Sequence, residues 1–285
     1  MLGTVLRNLL RPRNDPELAR AEYIAGENEM RNGDFVAARE SFERAFALDP
    51  RLPNIQDRLS QLRMSGPHYV DVLRTIHAHL RPRTYLEVGV ETGTTLRLAS
   101  PQTRAIGIDP RPILDAPLGA SATLQLMTSD AYFAGHDVRA ELGGLPIDLA
   151  FIDGMHHFEF ALRDFINIEK HCSRESTILI HDCYPFDRLT AERERRMLFW
   201  SGDIWRALLA LRKYRPDLRV HTVATAPTGL GVVRGLDPES RVLEEKLDQI
   251  VREFLALDYS VLDTDKDAKL ALVPNDWERV KAILQ

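Results

Sequence analysis

The 285-residue sequence has little cysteine, no long apolar run and no excess of positive charge, and each shortage removes a class of protein. Cys172 and Cys183 are the only thiols, too few for a disulfide framework in a chain of this length and in keeping with a reducing, cytoplasmic setting. No apolar stretch approaches the roughly 18 residues that a spanning helix needs, so membrane insertion is not expected. Residues 1–13 carry Leu2, Val5, Leu6, Leu9 and Leu10 among three arginines, with neither a signal-peptide core nor a cleavage site. That segment is expected to pack on its own domain, a membrane-surface role being the alternative. The formal net charge of -5 and pI near 6.0 give no footing for a nucleic-acid backbone. Missing too is the G-x-G-x-x-G turn of dinucleotide-binding sheets. What remains, 44% hydrophobic and 28% charged residues, is ordinary globular composition, enough for one large core or two small ones.

From Pro16 to Pro50 the pattern is two helices around a turn. Phe35, Ala38, Phe42, Ala45 and Phe46 recur on one helical face, Gly33 ends the first helix and Asp34 caps the second. A third amphipathic helix starts at Pro53 and carries Leu52, Ile55, Leu59 and Leu62. The pair resembles one tetratricopeptide repeat. A single copy is short of the three or so that share a stable core, so residues 1–64 are expected to act as a helical cap, or else as a docking surface for a protein partner or a second subunit.

Beyond Ser65-Gly66-Pro67 the period changes. A helix with Val70, Leu73, Ile76 and Leu80 closes at Pro82, and residues 84–90 read as a short apolar strand of the kind buried in a parallel sheet. Residues 91–95 form a tight turn into a helix containing Leu96 and Leu98. Gly89 and Gly93 let the backbone pass close to a ligand, while Glu87 and Glu91 suit a cationic nucleoside better than a pyrophosphate. Further strands at 104–109, 123–127 and 147–152 end at Asp109, at Ser129 with Asp130, and at Asp153. Asp109 can accept both ribose hydroxyls, and a side chain at 129–130 can meet an adenine amino group. Strands at 176–180, 218–223 and 229–233 complete a seven-stranded, mostly parallel, doubly wound α/β sheet of Rossmann type. It spans 67–237, with an N-terminal helical appendage and a helical extension at 238–285.

The runs Leu86-Glu87-Val88-Gly89-Val90-Glu91-Thr92-Gly93, Gly107-Ile108-Asp109, and Phe151-Ile152-Asp153-Gly154 followed by His157 resemble the ordered motifs of class I S-adenosylmethionine-dependent methyltransferases. The likeness covers about half the chain. It is similar in particular to the branch with Phe-Ile-Asp-Gly and His-Asp motifs, which includes small-molecule and sugar O-methyltransferases. The resemblance implies that Glu87, Gly89, Glu91 and Gly93 surround the methionine part of the cofactor, Asp109 the ribose, and Ser129 with Asp130 the adenine. Carboxylates near a sulfonium favour its binding by Coulomb attraction.

In this fold the strands ending in Asp153 and in His181-Asp182 are neighbours, about 4.8 Å apart. Asp153 and Asp182 can therefore share one divalent cation, magnesium, which would lower the pKa of an acceptor oxygen. Related metal-dependent members carry Asp or Asn after the second acid; here Cys183 follows, a soft ligand poorly matched to magnesium. The alternative for both acids is a cofactor contact and a hydrogen-bond anchor. His156, His157 and His181 are the candidate bases, His157 foremost. Trp200 and Trp205 read as packing or as an acceptor pocket, and Arg193, Arg195 and Arg196, interleaved with Glu192 and Glu194, as a solvated face. The expectation is direct displacement, a hydroxyl of a small molecule or sugar taking the cofactor methyl. The rivals are a nicotinamide-dependent oxidoreductase and a non-catalytic interaction module.

Overall fold

A computed structural model describes residues 15–285, so the amphipathic stretch at 1–13 lies outside the described residues. The chain divides into two compact units.

The smaller unit runs to Met64 and includes Arg196–Phe199. It holds helices α1 (Pro16–Arg31), α2 (Phe35–Leu48) and α3 (Ile55–Arg63). Asp15 accepts the Leu18 N–H at the start of α1, where Pro16 takes the first position, and Asp34 accepts the Ala37 N–H at the start of α2. The stop and start at Gly33-Asp34 thus fall where the sequence puts them. Ala19, Ala38, Phe42, Ala45, Ile55 and Leu59 are fully buried, with the Tyr23 and Phe42 rings 5.3 Å apart. Phe35, expected on the apolar face, is 59% exposed at the first position of α2.

The larger unit, Ser65–Arg195 with Trp200–Gln285, carries the sheet. In chain order it contains α4 (Tyr69–Leu80), β1 (Thr84–Val88), a 3-10 turn at Leu96–Leu98, β2 (Arg104–Ile108), β3 (Ala122–Gln125), α5 (Ser129–Gly135), α6 (Val138–Glu141), β4 (Ile147–Ile152), α7 (Phe158–Glu169), β5 (Cys172–Ile180), α8 (Trp205–Tyr214), β6 (Arg219–Val223), β7 (Leu230–Arg234), α9 (Val242–Glu245), α10 (Leu247–Leu255), a 3-10 turn at Tyr259–Leu262, α11 (Lys266–Lys269), β8 (Leu272–Val273) and α12 (Trp277–Ile283). The strands stand in the order β3-β2-β1-β4-β5-β7-β6-β8. Only β7 runs against its neighbours. This is a Rossmann-like α/β sheet whose first strands all run parallel, so their carboxyl ends share one edge.

Alternation along the strands builds two core layers. Leu86, Ile106, Ile108, Ala150 and Ile152 pack with Phe158, Leu162 and Phe165 of α7 and with Trp205 and Leu208 of α8. Tyr85, Ala105, Leu149, Phe151 and Leu179 meet Val72, Leu73 and Ile76 of α4. Each fully buried Leu, Ile, Val or Phe among them contributes roughly 1.5–3 kcal/mol.

Three expectations are corrected. The helix after the glycine turn is reduced to one 3-10 turn, because Ser100 precedes Pro101 and is barred from helical backbone. An eighth strand, β8, joins β6 in parallel from within the extension expected at 238–285, where no strand is expected. The helical extension expected at 238–285 does not begin as one continuous helix but breaks at Lys246 between α9 and α10. Among the described residues no helix is long and apolar enough to cross a membrane.

Candidate functional site

Two strand ends meet at the carboxyl edge. Backbone bonds fix them: Asp153 N–H donates to the Val88 carbonyl (2.8 Å) and His181 N–H to the Ile152 carbonyl (3.0 Å). Asp153 Oδ1 lies 3.1 Å from His181 Nδ1. Asp182 Oδ2 lies 3.4 Å from that nitrogen and 3.1 Å from His156 Nδ1, yet neither contact is angled as a hydrogen bond, leaving Oδ2 buried without a donor. Its other oxygen accepts the Thr228 hydroxyl at 2.6 Å. Asp182 itself sits at φ 60, a left-handed backbone that costs on the order of 1–3 kcal/mol in a side-chain-bearing residue and clusters at working sites.

Electrostatics tie the group together. Burial alone would pull His181 down, but Asp153 and Asp182 overcome it and hold the imidazole well above its usual pKa. Burial would raise Asp182; the nearby His156 and His181 instead hold it below the usual carboxylate range. His181 Nε2 is buried with no hydrogen-bond partner. Asp153, His181 and Asp182 each offer a ligand atom within 4.8 Å of the others, a set able to hold a cation. Cys183 is no ligand here, since its Sγ points to the Ile180 carbonyl, 3.2 Å away.

His156, not His157, reaches this group. Its ring stacks on Trp200 (5.0 Å, 9°), and its backbone carbonyl would be 1.8 Å from a Cβ at position 202, so Gly202 at φ 60 is required for the approach. His157 opens α7, and its Nε2 bonds to the Arg193 carbonyl at 2.9 Å. Arg193 is likewise no solvated residue: it pairs with Glu159 and with the fully buried Asp203, whose carboxylate caps α7 at the Phe158 N–H. Trp205 belongs to the core.

The β1–β2 half differs from its expected form. Glu87 is completely buried, its oxygens taken by the Tyr85 hydroxyl (2.6 Å) and the Thr95 hydroxyl (2.8 Å). Burial chiefly pushes its pKa up to about 8, so it is a neutral support beneath the glycine turn. Glu91 lies exposed in the turn at φ 46, and Gly93 packs beside Leu114 and Arg97. Asp109 Oδ2 accepts the Val90 and Glu91 N–H groups (2.9 and 3.0 Å), and Oδ1 accepts Arg111 N–H (2.8 Å). Of about four acceptor positions on a carboxylate, one is left, enough for one ribose hydroxyl and not for both. Strand β3 stops at Gln125, so Ser129 and Asp130 fall in the first turn of α5. The Asp130 carboxylate accepts from Arg163 with both oxygens (3.2 and 2.6 Å).

Sequence reasoning passed over Tyr69 and Thr228 as site residues. Thr228 carried no signal, being one hydroxyl in a loop whose closure on Asp182 depends on the β6–β7 connection.

Residues 86–183 match a family described as "Methyltransferase domain", a span running from β1 to just past β5 and covering about a third of the chain. No curated protein matches the sequence. Among solved structures, the chain is similar to the cofactor-bound Rv0187 from MTB (16% identity, 66% of this chain and 90% of that one, TM-score 0.46). It is similar also to the O-methyltransferase TomG from Streptomyces achromogenes, involved in tomaymycin synthesis and solved with SAM (14%, 72% and 90%, 0.44). A third is an O-methyltransferase from Bacillus cereus in complex with SAH (14%, 59% and 81%, 0.43).

Proposed function

We propose that the chain is an S-adenosylmethionine-dependent methyltransferase acting on a hydroxyl of a small molecule or sugar. The observation that carries this reading is that the methyltransferase-domain match, 86–183, ends on the strand pair that brings Asp153, His181 and Asp182 together. The cofactor lies along the carboxyl edge, its methionine end at the glycine turn and its ribose on the remaining lone pair of Asp109.

His156 is the proton acceptor. With Nδ1 turned to Asp182 and the Trp200 carbonyl (3.1 and 3.2 Å), its Nε2, 4.0 Å from Asp153 Oδ1, takes the acceptor's proton as the oxygen attacks the methyl and the sulfonium becomes a neutral thioether. Asp182 then stabilises the imidazolium. Thr228 and the stacked Trp200 hold the two groups in line, and much of the rate comes from that positioning.

The orphaned buried Oδ2 of Asp182 fits a bound cation. Asp153, His181 and Asp182 would hold it, and a divalent ion there lowers the pKa of an acceptor hydroxyl. An imidazole with two carboxylates suits zinc, manganese or iron better than magnesium, which prefers an all-oxygen shell.

Calorimetry on the purified chain tests the reading. S-adenosylmethionine and S-adenosylhomocysteine should both bind, and Asp109→Ala should weaken both about tenfold through a lost charge-assisted hydrogen bond and a loosened turn. No heat from either molecule ends it.

A further inference from the structure

The connection between β6 and β7, residues 224–229, closes over the end of β5 and is fixed from several sides. Ala224 N–H donates to the Val273 carbonyl of β8 (2.9 Å), the Thr225 hydroxyl donates to the Pro67 carbonyl (2.8 Å), and the Ala226 carbonyl accepts the Tyr69 N–H (3.2 Å). The Tyr69 ring lies 4.2 Å from that of His181, so the residue that anchors the loop also backs the cluster. Gly229 stands at φ 73, where a Cβ would come within 2.6 Å of the Tyr184 Cβ; glycine lets the loop lie this close to the strand end.

Thr228, 2% exposed, meets that strand end twice. Its carbonyl accepts the Tyr184 N–H and its hydroxyl donates to Asp182 Oδ1, both at 2.6 Å. A hydroxyl has one proton and serves one of the two oxygens, so the Asp182 carboxylate becomes lopsided. Oδ1 is spent on Thr228, while Oδ2 is buried with no hydrogen-bond partner. Asp182 therefore has one free oxygen to set beside Asp153 and His181, which offer one ligand atom each.

That asymmetry bears on which cation fits. Calcium gathers about 6–8 oxygens and often takes both oxygens of one carboxylate, whereas zinc and manganese accept an imidazole with carboxylates that give one atom apiece. Building on the cation site of the function proposed above, we infer that Thr228 is the positioning residue that selects the cation: by occupying Oδ1 it restricts Asp182 to one ligand atom and turns the site from calcium toward zinc or manganese.

Calorimetry with Mn2+, Zn2+ and Ca2+ on the full chain, freed of metal by a chelator, tests this. Thr228→Val should weaken manganese and zinc about 10- to 100-fold, as loss of an outer hydrogen bond to a metal ligand does, while calcium changes by less than about threefold because the freed Oδ1 becomes a second ligand atom. Thr228→Ser keeps the donor and should hold all three constants within about threefold of wild type. The ratio of the calcium and manganese constants is read also on Thr228→Ala, so that a folding defect in one variant does not remove the test. A threonine that only supports the loop would weaken all three ions alike. That result overturns the inference, as does no change in any ion, a serine variant that behaves like valine, or a wild type that prefers calcium. Wild-type protein that binds neither manganese nor zinc but still binds S-adenosylmethionine overturns the inference and leaves the methyltransferase standing; wild type that binds neither S-adenosylmethionine nor S-adenosylhomocysteine overturns the function itself.

Discussion

The two halves of the sheet edge are built from the same residue types to opposite ends. On the β1–β2 side the two strand-borne acids are held from within: Glu87 by Tyr85 and Thr95, and Asp109 by three backbone N–H groups. On the β4–β5 side Asp182 keeps one buried oxygen without a donor, in left-handed backbone, beside a His181 with an orphaned nitrogen. A satisfied network rigidifies a frame, whereas an unsatisfied buried group costs about 1–3 kcal/mol unless a ligand completes it. The first half holds its acids in a fixed frame, and the second keeps buried polar atoms that a ligand can complete.

The comparison breaks most visibly at Asp182. Asp182→Ala leaves His181 without one of its two acids and places a Cβ-bearing residue without a local hydrogen bond at φ 60; removing one partner of a buried pair costs about 3–5 kcal/mol. Chemical denaturation should show that loss, with Asp182→Asn losing roughly half as much because Asn tolerates this backbone. Equal stability of wild type and the alanine variant would show that the strained half carries no stored interaction. Next comes Gly89→Ala. At φ 85 a Cβ there would lie 2.1 Å from the Asp153 carbonyl oxygen, so Gly89 is a point of close backbone contact between the two halves. The substitution should cost about 2–4 kcal/mol, and a melting temperature within a degree of wild type would mean the halves are not coupled there.

Periodicity and strand-end acids made the scaffold legible. Residues 84–90 and 147–152 are short, mostly apolar runs of the kind buried in a parallel sheet, and Asp109 and Asp153 stand directly after their strands. What escaped depended on three-dimensional closure. That the His156 ring and not the His157 ring lies beside Asp182 goes with its stacking on Trp200 and the close approach of Gly202 to its carbonyl, the latter a contact 46 residues away in sequence that no local pattern encodes. Tyr69 was hidden by sitting at the edge of a good amphipathic helix. Asp109 was read as free for a ligand because its carboxylate's capture of the Val90 and Glu91 N–H groups exists only once β1 and β2 are side by side. The two-residue β8 is too short to have a period at all.

A pH experiment sharpens the scaffold side. Glu87 has its folded pKa raised to about 8, from 4.5, so the folded state favours the protonated acid. The stability this provides is complete below pH 4.5 and is lost as pH rises toward 8. With about 1.4 kcal/mol per pH unit as the limiting slope, wild type should lose roughly 2 kcal/mol from this group between pH 6 and 8. Glu87→Gln, which mimics the neutral acid, should not share that loss. Parallel stability profiles for the two proteins would mean that Glu87 is ionised and that its half of the edge is not the neutral frame described.

The smallest effect is expected at Asp130, and it separates the two views of the adenine end. Its carboxylate spends both oxygens on Arg163 across an exposed pair, with side chains 49% and 31% accessible. Exposed pairs of this kind are worth about 0–1 kcal/mol, so Asp130→Ala should shift the unfolding free energy by less than that. If Asp130 grips the adenine amino group as the motif order suggests, the same variant must also lose S-adenosylmethionine affinity tenfold or more. If Arg163 keeps the carboxylate, affinity should change by less than about fivefold, and Arg163→Ala, by freeing Asp130, should strengthen binding instead. A tenfold loss in Asp130→Ala with no gain in Arg163→Ala would place Asp130 among the ligand-facing groups and extend the unsatisfied half of the edge to β3.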